Sequence, residues 1–497
     1  MINLTLYLLI ASIPVELSMW LRPFWRLRKL VSYFIIAASL ILSLLLLKES
    51  FTLLSVIVPI ITCYRCFNLL RLIKGRTSSD YLYGVSLKSS LTLNAALLLS
   101  IGIYFLNLKL NIDDGHWLAM AITLESLLLL VLLFSTLRHI KTTNFVTPKL
   151  SYESRHLPTI SVLIPARNET VDLEQCLTTL VASDYPKLEI IVLDDCSQQK
   201  QTPQIIKSYA HSGVRFIAGK EPPEYWAAKN WAYQQLLMES SGDYLLFCGV
   251  DTRFSPETIS LALKALLERK KTMVSFMPLN SPPSTNKSLS LVFQPSRYFW
   301  ELAIPRKLLK RPPVLSTFWL IQRTMIEKAG GFKSVMKSGS PESYFAREAI
   351  KFNDSYSFLR SSPALGLFSI KPFDDQLNTA IRTRYPQTHR RPEIVFLLSL
   401  LEVSLLVLPI YLLDIAIRES LVVLIVVSAL NLLVLVSLFI DYVSLTYGKF
   451  YLRSILLMPV AIAIDVGLMN YSMYKYEFSE VIWKGRNVCL PLMRIPS

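Results

Sequence analysis

Apolar and polar positions follow two different rhythms along this chain. Nearly uncharged runs fall at 1–15, 31–47, 51–64, 89–106, 117–137, 394–413, 420–440 and about 453–472. A helix that crosses a bilayer needs about 20 mostly apolar residues, so 89–106, 117–137, 394–413 and 420–440 are expected to span. The run 51–64 is shorter and holds Pro59, which predicts a tilted, broken or re-entrant segment. Between the two groups of runs the pattern changes to short β-branched stretches separated by helical spacing.

After a linker around Pro148–Pro158, residues 160–165 predict a strand closed by proline. Leu173, Cys176, Leu177 and Leu180 recur at helical spacing. Residues 188–193 predict a second strand, which ends in Asp194 and Asp195. A helix near 201–210, a strand at 214–218, a helix at 229–238 and a strand at 244–248 follow, the last running into Gly249-Val-Asp251. Strands alternating with helices predict a parallel, doubly wound sheet, whose ligands bind outside the carboxyl ends of the strands. Polar residues gather at those ends: Arg167, Asn168 and Glu169; Asp194 and Asp195; Asp251. Any one of them alone reads as a turn or N-cap residue. Three such groups at successive strand ends point to a site. Neither GxGxxG nor GxxxxGK[ST] occurs, which argues against a dinucleotide-binding dehydrogenase and a P-loop ATPase. The histidines at 116, 139, 156, 211 and 389 are dispersed and lack a paired zinc spacing.

Composition agrees with the pattern. Of 497 residues, 52% are hydrophobic and 18% charged, with mean hydropathy +0.41, which excludes a disordered chain or a small disulfide scaffold. Much of the net charge of +16 flanks the apolar runs, at Arg22, Arg26, Arg28 and Lys29, at Arg65, Arg71, Lys74 and Arg76, and at Arg138 and Lys141. That placement fits the positive-inside rule and anionic lipid headgroups, and no nucleic-acid partner is expected. The acidic pair Asp113-Asp114 is expected on the opposite, outer side. Threading the basic loops inward delivers 138–392 to the cytoplasm of a multi-pass protein of the inner (plasma) membrane. Six scattered cysteines suit a reducing compartment. Cys63 and Cys66 form a CxxC without a second pair, so no metal or redox role is expected there. The N-terminus has no basic n-region or small-residue cleavage site, so a cleaved signal peptide is not expected.

The C-terminal run leaves two alternatives. Three full crossings would put Lys475, Lys484, Arg486 and Arg494 outside, and Asp465 interrupts the third run. Either this basic tail breaks the charge rule or one helix lies in the interface.

Residues of about 157–391 resemble a membrane-embedded bacterial glycosyltransferase of family 2. The carrying motifs are Ser161-Val-Leu-Ile-Pro-Ala-Arg-Asn-Glu169, Leu193-Asp-Asp-Cys-Ser197, Trp226-Ala-Ala-Lys-Asn-Trp-Ala232, Gly242-Asp-Tyr-Leu-Leu-Phe-Cys-Gly-Val-Asp251 and Ala329-Gly-Gly-Phe332. The stretch Val481-Ile-Trp-Lys-Gly-Arg486 is similar to a motif of relatives acting on carotenoid- and hopanoid-type lipids. The resemblance implies an α/β GT-A domain (a Rossmann-like mixed sheet of the nucleotide-diphospho-sugar transferase kind) inserted between α-helical transmembrane segments. The expected plan is an additional membrane domain at 1–116 with about four helices, a transmembrane helix at 117–137, a cytoplasmic GT-A domain at 138–392, membrane helices at 393–472 and a basic tail at 473–497.

The resemblance also implies roles. Pro165, Arg167, Asn168, Glu169, Asp194 and Asp195 would hold the base and ribose of a nucleotide sugar, Lys229 the diphosphate, and Asp251 a Mg or Mn ion. Three departures stand out. Gly249 replaces the first carboxylate of the family's DxD. The family's catalytic Glu-Asp aligns with Glu342-Ser343, which makes Glu342 the expected base. Gln387-Thr-His-Arg390-Arg391 carries arginine where the family has an acceptor-stacking tryptophan; Gln387, Arg390 and Arg391 are expected on the acceptor and diphosphate side, the arginines partly offsetting the lost metal ligand.

The leading expectation is a hexosyltransferase-like enzyme passing a sugar from a UDP- or GDP-sugar to a membrane lipid, with inversion. A catalytically silent fold that binds nucleotide or scaffolds a complex is the alternative. A transporter or sensor is a third class, which no intramembrane charge series supports.

Overall fold

The structure is a computed structural model that describes residues 2–19, 27–49, 53–74, 80–110, 114–148, 157–280, 312–352, 355–448 and 452–489. Arg22, Arg26, Arg76, Asp113, Arg494 and the linker positions 149–156 lie outside the described residues.

Five helices come first: α1 (Ile2–Ser18), α2 (Arg28–Glu49), α3 (Leu53–Lys74), α4 (Asp80–Leu110) and α5 (Asp114–Thr142). The domain follows, with β1 (Ile160–Ala166), α6 (Val171–Val181), β2 (Leu188–Asp194), α7 (Gln201–Ser208), β3 (Val214–Ala218), α8 (Ala228–Glu239), β4 (Tyr244–Cys248), β5 (Thr252–Phe254), α9 (Thr258–Glu268), β6 (Met273–Met277), β7 (Leu279–Asn280), β8 (Phe318–Gln322), α10 (Arg323–Lys328), α11 (Pro341–Lys351), β9 (Tyr356–Arg360), β10 (Leu367–Ser369) and α12 (Phe373–Gln387). The last described elements are α13 (Pro392–Arg418), α14 (Val422–Tyr447), α15 (Arg453–Phe478) and a hairpin of β11 (Ile482–Trp483) and β12 (Arg486–Asn487).

Among the described residues, seven helices are long and apolar enough to cross a membrane: α2 to α5 and α13 to α15. The prolyl interruption expected in α3 does not break it; the helix runs through Pro59 to Lys74. Arg65 and Arg71 do not end it because they find partners inside. Arg65 pairs with Glu16 of α1 at 2.7 Å, both fully buried. Buried charge at such depth is tolerated where it is paired.

The main sheet has the order β3-β2-β1-β4-β8-β6-β9. Its first four strands are parallel, as the alternation predicts. β8 then enters antiparallel to both β4 and β6, so the sheet is mixed rather than purely parallel. β5, β10 and β7 form a small second sheet. One face of the main sheet packs on α6 and α9 through Leu177, Leu180, Ala262 and Leu266. The other carries an aromatic cluster in which Phe247 and Trp319 stack at 4.1 Å. Losing a buried ring of this kind costs about 3–5 kcal/mol. The cluster is continuous with Leu129 and Leu132 of α5, Leu405 of α13 and Leu435 of α14, so the domain and the helices share one apolar core.

Two joints fix the domain to the helices. Arg360, at the end of β9, donates from Nη2 to Ile140 O (2.9 Å) and from Nε to Thr143 Oγ1 (3.0 Å), capping the end of α5. At the other joint, α12 lies along α15. Ser472 Oγ donates to Ile381 O, Tyr476 Oη donates to Arg382 O, and Arg384 pairs with Asp465, the acid that interrupts the apolar run.

Gly448, the cap of α14, stands beside Leu279 of the domain, and α15 leads into a hairpin that bonds to the domain. Lys484 and Arg486 after it lie against domain carboxylates.

Candidate active site

The polar groups at the strand ends do converge, but their side chains do different jobs. β1 ends in Pro165 and Ala166, paired with Leu193 and Asp194 of β2. Arg167 is buried and donates from Nη1 to the carbonyls of Asp195 (2.6 Å) and Cys196 (2.7 Å) and from Nε to the carbonyl of Lys484 (3.0 Å). Asn168 stands at φ 49° and is equally committed. Its Nδ2 donates to Lys484 O at 2.9 Å and its Oδ1 accepts from Gln198 N at 2.8 Å. These two residues tie strand ends and tail together, a framework role beside the ligand-binding one implied by resemblance.

The two aspartates also differ. Asp194 Oδ1 accepts from the Ser197 amide (3.2 Å), the turn role that such a residue most often has. Asp195 is 3% exposed; its Oδ2 receives Arg486 Nη1 at 2.8 Å, while its Oδ1 is buried without a hydrogen-bond partner among the described residues. Burial pushes the Asp195 carboxyl above its ordinary value, against the pull of Arg486 and Arg167. Glu169 Oε2 lies 3.2 Å from Lys484 Nζ, and burial pushes its carboxyl up to about 7 against that cation's pull.

Lys229, in the first turn of α8, reaches across to α11, where its Nζ lies 3.6 Å from Glu342 Oε2. Its ammonium also stands 5.3 Å from the centre of the Tyr233 ring. Glu342 follows Pro341 at the start of α11, the helix-opening position its sequence suggests, yet it is only 6% exposed. The long-range pair brings the expected phosphate-binding cation and the expected base together.

At the end of β4, Asp251 Oδ2 accepts from Ser369 Oγ at 3.3 Å. A Cβ on residue 249 would collide with Asp251 Oδ1, so Gly249 lets the remaining carboxylate fold back over the position of the missing one. Among the described residues no cluster of three or more His, Cys, Asp or Glu is placed to hold a metal. One carboxylate still suits a divalent ion held mainly by substrate phosphates.

The segment after α12 departs from expectation. Arg390 is buried and donates from Nη2 to both oxygens of Glu477 (3.1 and 3.3 Å), while Arg391 Nε donates to Glu393 Oε1. Arg71 of α3 completes the first group, donating from Nη1 to Arg390 O (2.7 Å) and Tyr385 Oη (3.0 Å). Both arginines expected to offset the lost metal ligand are thus committed to glutamates of the helical layer. Gln387 is exposed at the end of α12.

Residues not expected at the site come from the tail. Trp483 pairs with Arg486 across a two-residue turn in which Lys484 (φ 48°) and Gly485 (φ 78°) are both left-handed. A hairpin with positive φ at both central residues favours glycine, so the Lys-Gly dipeptide was the available signal. Arg486 bridges Asp195 and Glu221, and Arg382 of α12 lies 4.6 Å over the Trp483 ring.

Residues 161–330 match the family model described as Glycosyl transferase family 2. The chain is 31% identical over 205 residues to the probable glycosyltransferase YdaM of Bacillus subtilis (strain 168), covering 39% of this chain and 48% of that protein. It is 23% identical over 234 residues to the glycosyltransferase AglE of Haloferax volcanii, covering 46% of this chain and 72% of that one. Among solved structures, it is similar to the mannosyltransferase PcManGT from Pyrobaculum calidifontis in complex with GDP-Man and Mn2+, with 16% identity, TM-score 0.43, and coverage of 72% of this chain and 98% of the other. The matched stretch spans about half the length of the Bacillus relative.

Proposed function

Since the chain carries a glycosyl transferase family 2 domain with a GT-A sheet, we propose that it transfers a sugar from a UDP- or GDP-sugar to a membrane lipid, with inversion at the anomeric carbon. The observation that carries this reading is the Lys229–Glu342 pair beside the strand ends. In a direct displacement, the acceptor oxygen forms a bond to the anomeric carbon as the bond to the diphosphate breaks. Glu342 takes the acceptor proton. Lys229 neutralises the negative charge that develops on the leaving diphosphate. Asp195, with an unpartnered buried oxygen, suits an N–H of the base, and Asp194 lies beside it for the ribose.

A Mg or Mn ion would be held by Asp251 and the substrate's own phosphates, and it would supply further charge neutralisation there. The lipid acceptor rests on the apolar core shared by the domain and the helices, which holds the domain carrying Glu342 against helices apolar enough to cross a membrane. We place the domain on the cytoplasmic side, where nucleotide sugars are supplied.

The catalytically silent reading has its own support, in Gly249 and in the two arginines committed to glutamates. The test is purified full-length protein in detergent with a panel of UDP- and GDP-sugars and lipid extract, with and without Mn2+. Sugar-labelled lipid that disappears in Glu342→Gln supports the enzyme. Nucleotide binding without donor turnover or lipid product establishes the silent reading instead.

A further inference from the structure

The hairpin of β11 and β12 does more than anchor the end of the chain. Its turn carbonyl, at Lys484, receives Arg167 and Asn168, and its two cations reach Glu169 and Asp195. Every one of these partners lies at the carboxyl end of β1 or β2, where the proposed nucleotide would bind. Arg486 is the most constrained contact. One nitrogen lies 2.8 Å from Asp195 Oδ2 and the other 2.7 Å from Glu221 Oε2, a fork that fixes the plane of the guanidinium. Asp195 is thereby pinned through one oxygen, while the other is buried and unpartnered among the described residues. A buried carboxylate oxygen without a donor is costly unless a ligand supplies one.

We infer that the C-terminal hairpin is a wall of the nucleotide pocket, and that Arg486 is a positioning residue that holds Asp195 so its free oxygen accepts the ring N–H of a nucleobase. This inference rests on the proposed nucleotide-sugar reading. Uracil and guanine carry such a ring N–H; cytosine has a bare nitrogen at the corresponding position. The contact is to the base, so it contributes equally to mono- and diphosphate binding. A hairpin cation that gripped the diphosphate would contribute to diphosphate binding alone. The backbone part of the wall explains why the turn must be tight: Lys484 O reaches both Arg167 and Asn168 only because residues 484 and 485 turn in the left-handed region.

The test is calorimetry on the full-length protein in detergent with UMP, UDP, CDP, GMP and GDP. In wild type, UDP or GDP binds more tightly than CDP. Arg486→Gln is expected to weaken the preferred mono- and diphosphate by the same factor, about 10–100-fold, and to narrow the gap to CDP. Arg486→Lys, which keeps a cation at Asp195, is expected to recover part of the loss. Because Arg486 acts through Asp195, the double variant Asp195→Asn/Arg486→Gln is expected to bind no more weakly than Asp195→Asn alone. That comparison holds even where Arg486→Gln lowers the thermal midpoint. Wild-type affinity in Arg486→Gln, a loss confined to the diphosphates, or additive losses in the double variant would overturn the inference while leaving the proposed function standing. If wild type binds none of the five nucleotides, the proposed function falls, and this inference with it.

Discussion

Lys229 Nζ and Glu342 Oε2 face each other at 3.6 Å, one from the first turn of α8 and one from the first turn of α11. Each lies at a helix start, and each is held by a helix that packs on the aromatic side of the sheet. The pair therefore brings a cation and a carboxylate together, and the proposed leaving-group stabilisation and proton removal rest on it.

Replacing Glu342 with glutamine retains the shape and removes the base. Turnover is expected to fall about 10²–10⁴-fold while nucleotide affinity stays near wild type. Steady-state sugar transfer and calorimetry on the same preparation check this. A variant with wild-type turnover leaves Glu342 as a helix-opening residue and shifts attention to Asp374 and Asp375 in the first turn of α12.

Nucleotide binding is expected to depend on Asp195 more than on a divalent ion. Asp195→Ala should weaken UDP or GDP by more than tenfold, whereas Asp251→Ala and EDTA should each change affinity by only a few-fold. If chelation and Asp251→Ala both abolish binding, the ion is central despite Gly249.

Arg71 links the N-terminal helices to the domain, through Tyr385, Arg390 and Glu477. Arg71→Ala leaves the buried Glu477 short of one cation and should destabilise the protein by about 3–5 kcal/mol. Thermal unfolding in detergent measures it. Arg71→Met should lose less than Arg71→Ala, since it keeps the apolar volume while Arg390 still pairs with Glu477.

Glu169 makes stability depend on pH in a direction that can be worked out. Its carboxyl is pushed up to about 7 in the fold, above an ordinary carboxylate near ~4.3. The fold therefore favours the protonated form. That contribution is fully present below about pH 4 and is lost as pH rises through about 7. Glu169→Gln stays neutral throughout, so its unfolding free energy should gain on wild type between pH 5 and pH 8, by about 1–3 kcal/mol. A gap that stays flat over this range contradicts the assignment.

The proposed cytoplasmic placement of the domain predicts that a cysteine at the exposed position Lys200, before α7, is labelled by an impermeant reagent only after cells are permeabilised. Labelling in intact cells would remove the domain from the nucleotide-sugar pool.

Local order was written in the sequence because its causes are local. The strands at β1 to β4 and the helices between them follow from side-chain period and from proline, glycine and aspartate at their ends. The convergence of polar residues at those ends follows in turn, since the first four strands run parallel. Partner choice is different, because it depends on groups brought together from distant parts of the chain. Arg65 looks like the end of an apolar run until Glu16 neutralises it inside the bundle. Arg390 and Arg391 look available for phosphate until Glu477 and Glu393 take them. β8 reverses direction within the sheet with no local mark of it. Arg486, in a C-terminal stretch whose motif names no partner, becomes the partner of Asp195 because α15 returns the chain to the domain. Charge in a low-dielectric interior must be matched, and only the folded chain determines which charges meet.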